Sequence, residues 1–243
     1  MRLSKVIPSY IQKKGGIMPV IKVGRLVSCC IVRELPGKEM YLVLIEGTDL
    51  LGYLPKRCVY KEFNRKEECA AAVFMIGDGK IFLSQRSPQF FRRVAEAVLA
   101  PAIREGKIRV RRAACIANSA FAKVSVEGLG DFDPLTVSLR YLEGVKNYTG
   151  DTVTIVRYSS DIKEYIVNSL VPAPVEKVIQ VLYSQSLREA IVRVDPQYCG
   201  FFVGKGGSNV ATAAKLLNLK ILIKSAVQNI CGQKKQMEMT RCC

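Results

Sequence analysis

The chain contains no histidine. Serine–histidine–aspartate and cysteine–histidine nucleophiles are therefore excluded, as are imidazole ligands to zinc. No two cysteines stand in a C-x-x-C spacing, which argues against a zinc knuckle or ribbon. Long apolar runs are missing too. The longest uninterrupted nonpolar stretch, Cys69 to Gly77, is nine residues, whereas a helical membrane span needs ~20. Carboxylates are few and scattered, and no pair of them can be placed beside a nucleophile. No catalytic, cofactor or metal set is expected, and the chain reads as a non-enzyme.

What is abundant is positive charge. The 243 residues carry 37 Lys+Arg against 21 Asp+Glu, a net charge of +16. The excess is +4 over residues 1–20, +3 over 21–90, +4 over 91–160 and +5 over 161–243. A single basic tail would act as one anchor. An excess in every segment implies several surfaces facing a polyanion, and phosphate neutralisation with counterion release is the usual use of such surfaces. Solubility alone is the plainer alternative. Membrane-surface binding would call for a strongly basic amphipathic helix, and none is evident. Hydrophobic residues make up 49%, as in a globular protein, so wholesale disorder is excluded.

The nine cysteines are odd in number, and Cys69, Cys115 and Cys199 lie in apolar runs, as buried reduced thiols would. A cytoplasmic location is expected. Residues 1–16 are basic and lack the apolar core of a secretory signal; a short organelle leader, or a start at Met18, is compatible with them. The terminal Cys242-Cys243 reads as a frayed tail or as a prenylation-like end.

From Pro19 to Arg86, short apolar stretches alternate with turn-formers at Leu35 to Lys38, Gly52 to Pro55 and Gly77 to Gly79. The spacing predicts a small β-barrel of ~65 residues. Its Tyr41, Tyr53, Phe63 and Phe74 are candidates for base stacking, with core packing as the plainer role for each. Ser87-Pro88 then opens a helix with Phe91, Val94, Ala95 and Val98 at helical spacing, interrupted at Pro101. Ile108 to Val126 reads as two strands, with Arg109, Arg111 and Arg112 clustered on the first as a phosphate-facing or merely solvated edge. Asp161 to Leu170 reads as a helix; Lys177–Tyr183 and Ala190–Val194 read as strands.

The second half of the chain holds an internal repeat. Asp133-Pro134 opens a segment closing on Ile155 to Tyr158, and Asp195-Pro196 opens one closing on Leu222 to Ser225. The first copy is shorter, and its missing stretch falls about where the second has Gly204-Lys205-Gly206-Gly207. That loop comes after Phe201-Phe202-Val203 and precedes a helix with Val210, Ala213, Ala214 and Leu217 at i, i+3, i+4, i+7, then the alternating strand Lys220 to Lys224. Helix, G-x-x-G, helix, strand is the KH arrangement. Glycines let a sugar-phosphate backbone approach without a Cβ clash, and the helix behind them offers free N–H groups and the positive end of its dipole. Such a module holds about four nucleotides of single strand. Gly204, Lys205, Gly206, Gly207, Ser208, Asn209, Lys220 and Lys224, with Arg109, Arg111 and Arg112, are the predicted RNA-binding residues. A Walker loop is excluded by Cys199 and Gly206, and a dinucleotide fingerprint by Asn209.

Three stretches carry a family resemblance. Leu83-Ser84-Gln85-Arg86-Ser87-Pro88-Gln89-Phe90-Phe91-Arg92-Arg93 resembles the barrel-to-KH junction of the bacterial NusA transcription factors. So does the run from Ile155-Val156-Arg157-Tyr158 through Asp161, Tyr165-Ile166, Asn168-Ser169-Leu170 and Pro172-Ala173. Val203 to Val210, with Ala213-Ala214, is similar to the second KH domain of that family. The resemblance covers roughly residues 20–226. It implies an α+β chain: an OB-type barrel of the ribosomal-protein-S-one kind, then two tandem type II KH domains. The expected division is a basic extension over 1–18, the barrel over 19–86, a first KH domain without its glycine loop over 87–160, a second KH domain over 161–227 and a basic tail over 228–243. It also implies binding of nascent single-stranded RNA and modulation of RNA polymerase pausing, termination and antitermination. Family members usually carry a long N-terminal domain that docks on the polymerase; residues 1–18 are all that precedes the barrel here, so a weakened polymerase contact is expected. A monomer is expected, with no membrane partner. The alternative is an RNA-binding module of the ribosome or of RNA turnover.

Overall fold

The computed structural model describes residues 20–116, 121–150 and 152–226. The extension over 1–18, Met18, the tail over 228–243 and Cys242-Cys243 lie outside the described residues.

Strands β1 (Leu26–Leu35), β2 (Met40–Ile45), β3 (Leu51–Pro55), β4 (Glu68–Gly77) and β5 (Lys80–Ser84) close into a barrel in the order β1-β2-β3-β5-β4. Alternation drives the closure. Val27, Cys29 and Ile31 of β1 and Tyr41, Val43 and Ile45 of β2 point inward and bury against Leu54, Phe63, Val73 and Leu83. Gly52, expected in a turn, lies inside β3. A Cβ there would come within 2.9 Å of the Leu83 side chain, so the glycine lets β3 and β5 pack closely where they pair in parallel. Tyr41 and Phe63 are core residues, in edge-to-face contact at 6.1 Å, and are closed to any base. Phe74 is exposed, and Tyr53 lies 5.6 Å from Phe82 on the barrel exterior.

Strand β4 is buried continuously from Cys69 to Val73 because both its faces are covered. Cys69, Ala71 and Val73 face the barrel interior. Ala70 and Ala72 are small enough to admit Phe90, Val94 and Val98 of α1 (Pro88–Val98). Ser87 caps that helix, its hydroxyl accepting from the Phe90 N–H at 3.2 Å, with Pro88 at the first position. Phe91 and Ala95, on the neighbouring face of α1, bury into the next sheet. One helix thus joins the barrel to the first of the two αβ units.

After α2 (Ala100–Arg104), strands β6 (Ile108–Cys115) and β7 (Phe121–Gly128) form an antiparallel hairpin. Helices α3 (Pro134–Leu139) and α4 (Leu142–Thr149) then lead to β8 (Thr152–Arg157), which pairs parallel to β7. The sequence α5 (Ile162–Ser169), β9 (Val178–Ser184), β10 (Glu189–Val194), α6 (Cys199–Val203), α7 (Ser208–Leu217) and β11 (Lys220–Ser225) repeats that order of helices and strands. Strand β11 pairs parallel to β10, and β9 antiparallel to it. Both copies are therefore αββααβ units with three-stranded mixed sheets, the type II KH topology. Asp133 and Asp195 mark equivalent corners, each carboxylate accepting from the backbone N–H two residues on. The parallel pairing begins at Phe121 with Thr152 and at Glu189 with Lys220, so the two crossovers span the same length of chain. The first copy spends its residues on a longer β7 and the loop after it, and has fewer left between its helices.

Helix α7 packs against β6 and β7 of the first unit as well as β11 of its own. Its buried positions are Asn209, Thr212, Ala213, Leu216 and Leu217. Val210 and Ala214 are only half-buried, because a helix wedged between two sheets buries a face that a one-sided periodicity does not find. Central strand β7 is covered on both sides, and this buries Lys123 completely, at 0% exposure. Its ammonium donates to the Ser169 and Val171 carbonyls at the C-terminal end of α5, where the helix dipole favours a cation. Burial pushes its pKa from the ordinary 10.5 down to about 7. Cys69 and Cys115 are buried thiols, and Cys199 is a half-buried one.

Candidate nucleic-acid interface

The turn between α6 and α7 is built from three glycines in positive φ. Gly204 has φ 75°, Gly206 φ 57° and Gly207 φ 76°. They serve different ends. A Cβ on Gly204 would lie 2.7 Å from the Asn209 Cβ and 2.8 Å from its backbone nitrogen, so packing demands glycine there. Gly206 and Gly207 have no described atom within 4 Å of where a Cβ would stand; beside them is open space. The Gly207 N–H donates to the Gly204 carbonyl at 3.0 Å and closes the turn.

Asn209 holds this turn from beneath. It is 4% exposed, and its amide nitrogen donates to the Leu170 carbonyl at 2.8 Å and the Phe202 carbonyl at 3.1 Å. The sequence places Asn209 among the ligand-contacting residues; burial instead gives it a positioning role, tying the loop to the end of α5. Lys205 and Gly206 are exposed, and Gly207 and Ser208 are half-buried. Gly207 is the N-cap of α7 and supplies no side-chain acceptor, and the first turn of α7 contains no acidic residue. No side chain caps its leading N–H groups, although the Ser208 N–H donates to the Lys205 carbonyl within the turn; an uncapped, acid-free helix start is the local chemistry of an anion site.

Of the two strand lysines, Lys224 is exposed and registers with Arg193 on β10. Lys220 donates to Glu189 at 2.9 Å. It opens β11 at the end of α7 remote from the loop, about 15 Å along the helix axis. The structure does not bring Lys220 to the glycines. The arginine cluster lies on β6. Arg111 is the extra residue of a bulge, since the register shifts between Val110 and Arg112. Its Nη2 donates to Glu127 at 2.9 Å, and its guanidinium lies 4.8 Å from the Tyr158 ring centre. Arg109 stands 3.8 Å from the same carboxylate. Arg112 donates to the Leu216 carbonyl at 3.3 Å, a cation on the C-terminal end of α7. Arg111 and Arg112 lie at the seam between the two units and Arg109 on the first unit beside it, and all three are separate from the loop.

One feature beside the loop is not among the residues singled out from the sequence. Phe201 is 65% exposed on α6 while Phe202 is fully buried. Its ring lies 6.1 Å from Tyr198, over which the Lys177 ammonium sits at 5.3 Å. The signal is there to find: on a helix as short as α6, only one of two adjacent phenylalanines reaches the core.

In the first unit, Arg140 and Tyr141 alone separate α3 from α4. Helix α4 also starts without a side-chain cap, but Glu143 occupies its first turn. The acid and the short connection leave no counterpart of the open loop.

A closed five-stranded barrel followed by two type II KH units, one with an open G-x-x-G turn, defines a class of single-strand nucleic-acid-binding architecture. Within that class the chain is NusA-like. The family described as "NusA-like second KH domain" matches residues 162–229. The transcription termination/antitermination protein NusA of Borreliella burgdorferi is 27% identical over 208 residues, covering 81% of this chain and 42% of that protein. The Bacillus subtilis protein of the same name is 30% identical over 205 residues, covering 80% and 54%. That of Halalkalibacterium halodurans is 30% identical over 152 residues, covering 60% and 38%. The chain spans about half the length, or less, of these relatives.

Proposed function

We propose that the chain binds nascent single-stranded RNA through the Gly204–Gly207 loop and modulates pausing, termination and antitermination by RNA polymerase. One observation carries the reading. An exposed, acid-free glycine turn sits at an uncapped helix start, inside the stretch that matches the NusA-like second KH domain. Phosphates approach Gly206 and Gly207, where no side chain intervenes, and accept from N–H groups of the first turn of α7 beyond Ser208, whose own N–H donates to the Lys205 carbonyl. Lys205 adds a mobile cation, Ser208 a hydroxyl and Lys224 a second cation. Phe201 offers a ring on which a base can stack. Arg109, Arg111 and Arg112 contribute from the seam. The first KH unit, over 87–160, acts as a spacer that orients the second, over 161–227, relative to the barrel over 19–86. Polymerase contact is assigned by analogy with the relatives, which are termination/antitermination proteins by name.

The test is a titration with single-stranded RNA of about 4 nucleotides, the reach of one KH module. Replacing Lys205 and Gly206 together with Asp places two carboxylates at the helix start, and aspartate tolerates the left-handed conformation of position 206. Affinity is expected to fall at least about tenfold, and wild-type affinity for longer RNA to fall with salt at a log–log slope of about −2 to −4 if ~3–5 phosphates are neutralised. Unchanged affinity in a folded variant removes the clamp.

A further inference from the structure

Helix α1, the edge strand β6 and the C-terminal end of α7 line a cleft of about 320 Å³, and α1, α2 and β6 line an adjoining one of about 530 Å³. The clefts share Arg92 and Arg111 and so form one trough that runs from the seam of the two KH units along the first. Among the described residues, six cations line it: Arg92, Arg104, Arg109, Arg111, Arg112 and Lys215. Glu96 is the one carboxylate in that lining, and Glu127 pairs with Arg109 and Arg111. Positive charge is in excess even with both acids counted. The ion pairs also leave donors over, because a guanidinium carries five N–H groups. Arg104 and Lys215 are exposed and pair with no carboxylate among the described residues.

The bulge makes the array. In a regular strand Arg111 and Arg112 would point to opposite faces. With Arg111 as the inserted residue, both line the same cleft. Glu127 and Tyr158 hold the Arg111 guanidinium and the Leu216 carbonyl holds that of Arg112, so neither side chain needs ordering when an anion arrives.

We infer that this trough is a second RNA-binding site, taking the phosphodiester backbone of the strand held by the glycine loop. The inference rests on the reading of that loop given above and extends it by saying where the strand goes. Three features favour a polynucleotide. Arginine forks match phosphate geometry. The cations recur along about 10 Å of β6, which suits a row of phosphates better than one anion. Helix α7 belongs to both sites: its first turn is the loop's anchor, and Lys215 and Asn218 at its other end line the trough, about 15 Å away. The first unit, lacking a glycine turn, then contributes to binding through β6 rather than through its helix pair.

The test uses the full chain with Arg104→Glu and Lys215→Glu combined, and single-stranded RNAs of about 4 and about 12 nucleotides, the shorter matching one KH module. For the longer RNA, affinity is expected to fall about tenfold and the log–log salt slope to become shallower by about 1.4, since two phosphate contacts on a single strand are lost. Binding of the shorter RNA stays within about twofold and keeps its dependence on Lys205. If the longer RNA is unaffected while the shorter still depends on Lys205, the trough is wrong and the loop stands. If no RNA depends on Lys205, the loop reading fails and the trough falls with it. An equal loss for both lengths reduces the effect to bulk charge and overturns a separate site. So does a poly-glutamate peptide that loses binding while the longer RNA does not. The neutral pair Arg104→Gln and Lys215→Gln, expected to show the same change in slope because the same two contacts are lost, with a smaller fall in affinity, covers the case in which charge reversal prevents folding.

Discussion

The two KH units take the same path through helix, hairpin, helix pair and parallel return strand, yet they make the turn between paired helices differently. In the second unit four residues, three of them glycines in positive φ, lie between α6 and α7, and the helix start beyond them is free of acid. In the first unit the turn is Arg140 and Tyr141, and Glu143 stands at the helix start. Neither helix has a side-chain cap, so a helix start without one is common to both. The difference lies in space and charge. An anion site needs backbone that can be approached and no carboxylate already there, and only the second unit offers both.

The largest way to break this comparison is to remove what binds the two units into one body. Leu216 is buried between α7 and the first unit's sheet. Leu216→Ala is expected to cost about 2–5 kcal/mol, measured by urea unfolding. Two separate transitions in the wild type would show that the units fold independently. Next is the support of the glycine turn. Asn209→Ala removes the one side chain that donates to both the Leu170 and the Phe202 carbonyls among the described residues, though Leu170 still accepts from the Ala173 N–H, and should cost about 1–3 kcal/mol. It should weaken short-RNA binding although Asn209 is buried beneath the turn; full affinity in this variant would deny the positioning role.

These two residues show what the sequence does and does not disclose. The order of elements is legible because its signals are local: Ser87-Pro88, Asp133-Pro134, Asp161 and Asp195-Pro196 each cap or open the turn they stand at. The glycine turn is legible for the same reason. The role of Asn209 is not, because its partner Leu170 lies 39 residues away. The buried face of α7 is shifted from the one its periodicity indicates because the first unit's sheet covers a second side of it. Lys123 gives no signal, since a lysine reads as surface until both neighbours of β7 are known. The shorter span of the first copy is visible, but the compensating length of β7 is not.

A smaller effect sharpens the comparison at the seam. Between pH about 7 and the ordinary lysine value of 10.5, the folded chain holds fewer protons on Lys123 than the unfolded chain does. Stability contributed by this group therefore rises with pH across that window and is lowest below it, where an ammonium must be buried. The urea midpoint should be higher at pH 9 than at pH 6.5, and Lys123→Met should flatten that part of the difference. A midpoint difference that Lys123→Met leaves intact would assign it to other groups. The smallest expected effect is in the first unit. Glu143→Gln removes the acid at the start of α4 but leaves the two-residue turn, so short-RNA affinity should change by less than about twofold in the same titration. A larger gain would mean that charge alone closes that helix start.

The most direct measurement is photocrosslinking of a short single-stranded RNA to the intact chain, with the attached residues mapped by mass spectrometry. The account predicts attachment within residues 201–208 and none within 139–143. Crosslinks concentrated at the turn of the first unit, or their absence from the glycine turn of the second, would contradict it.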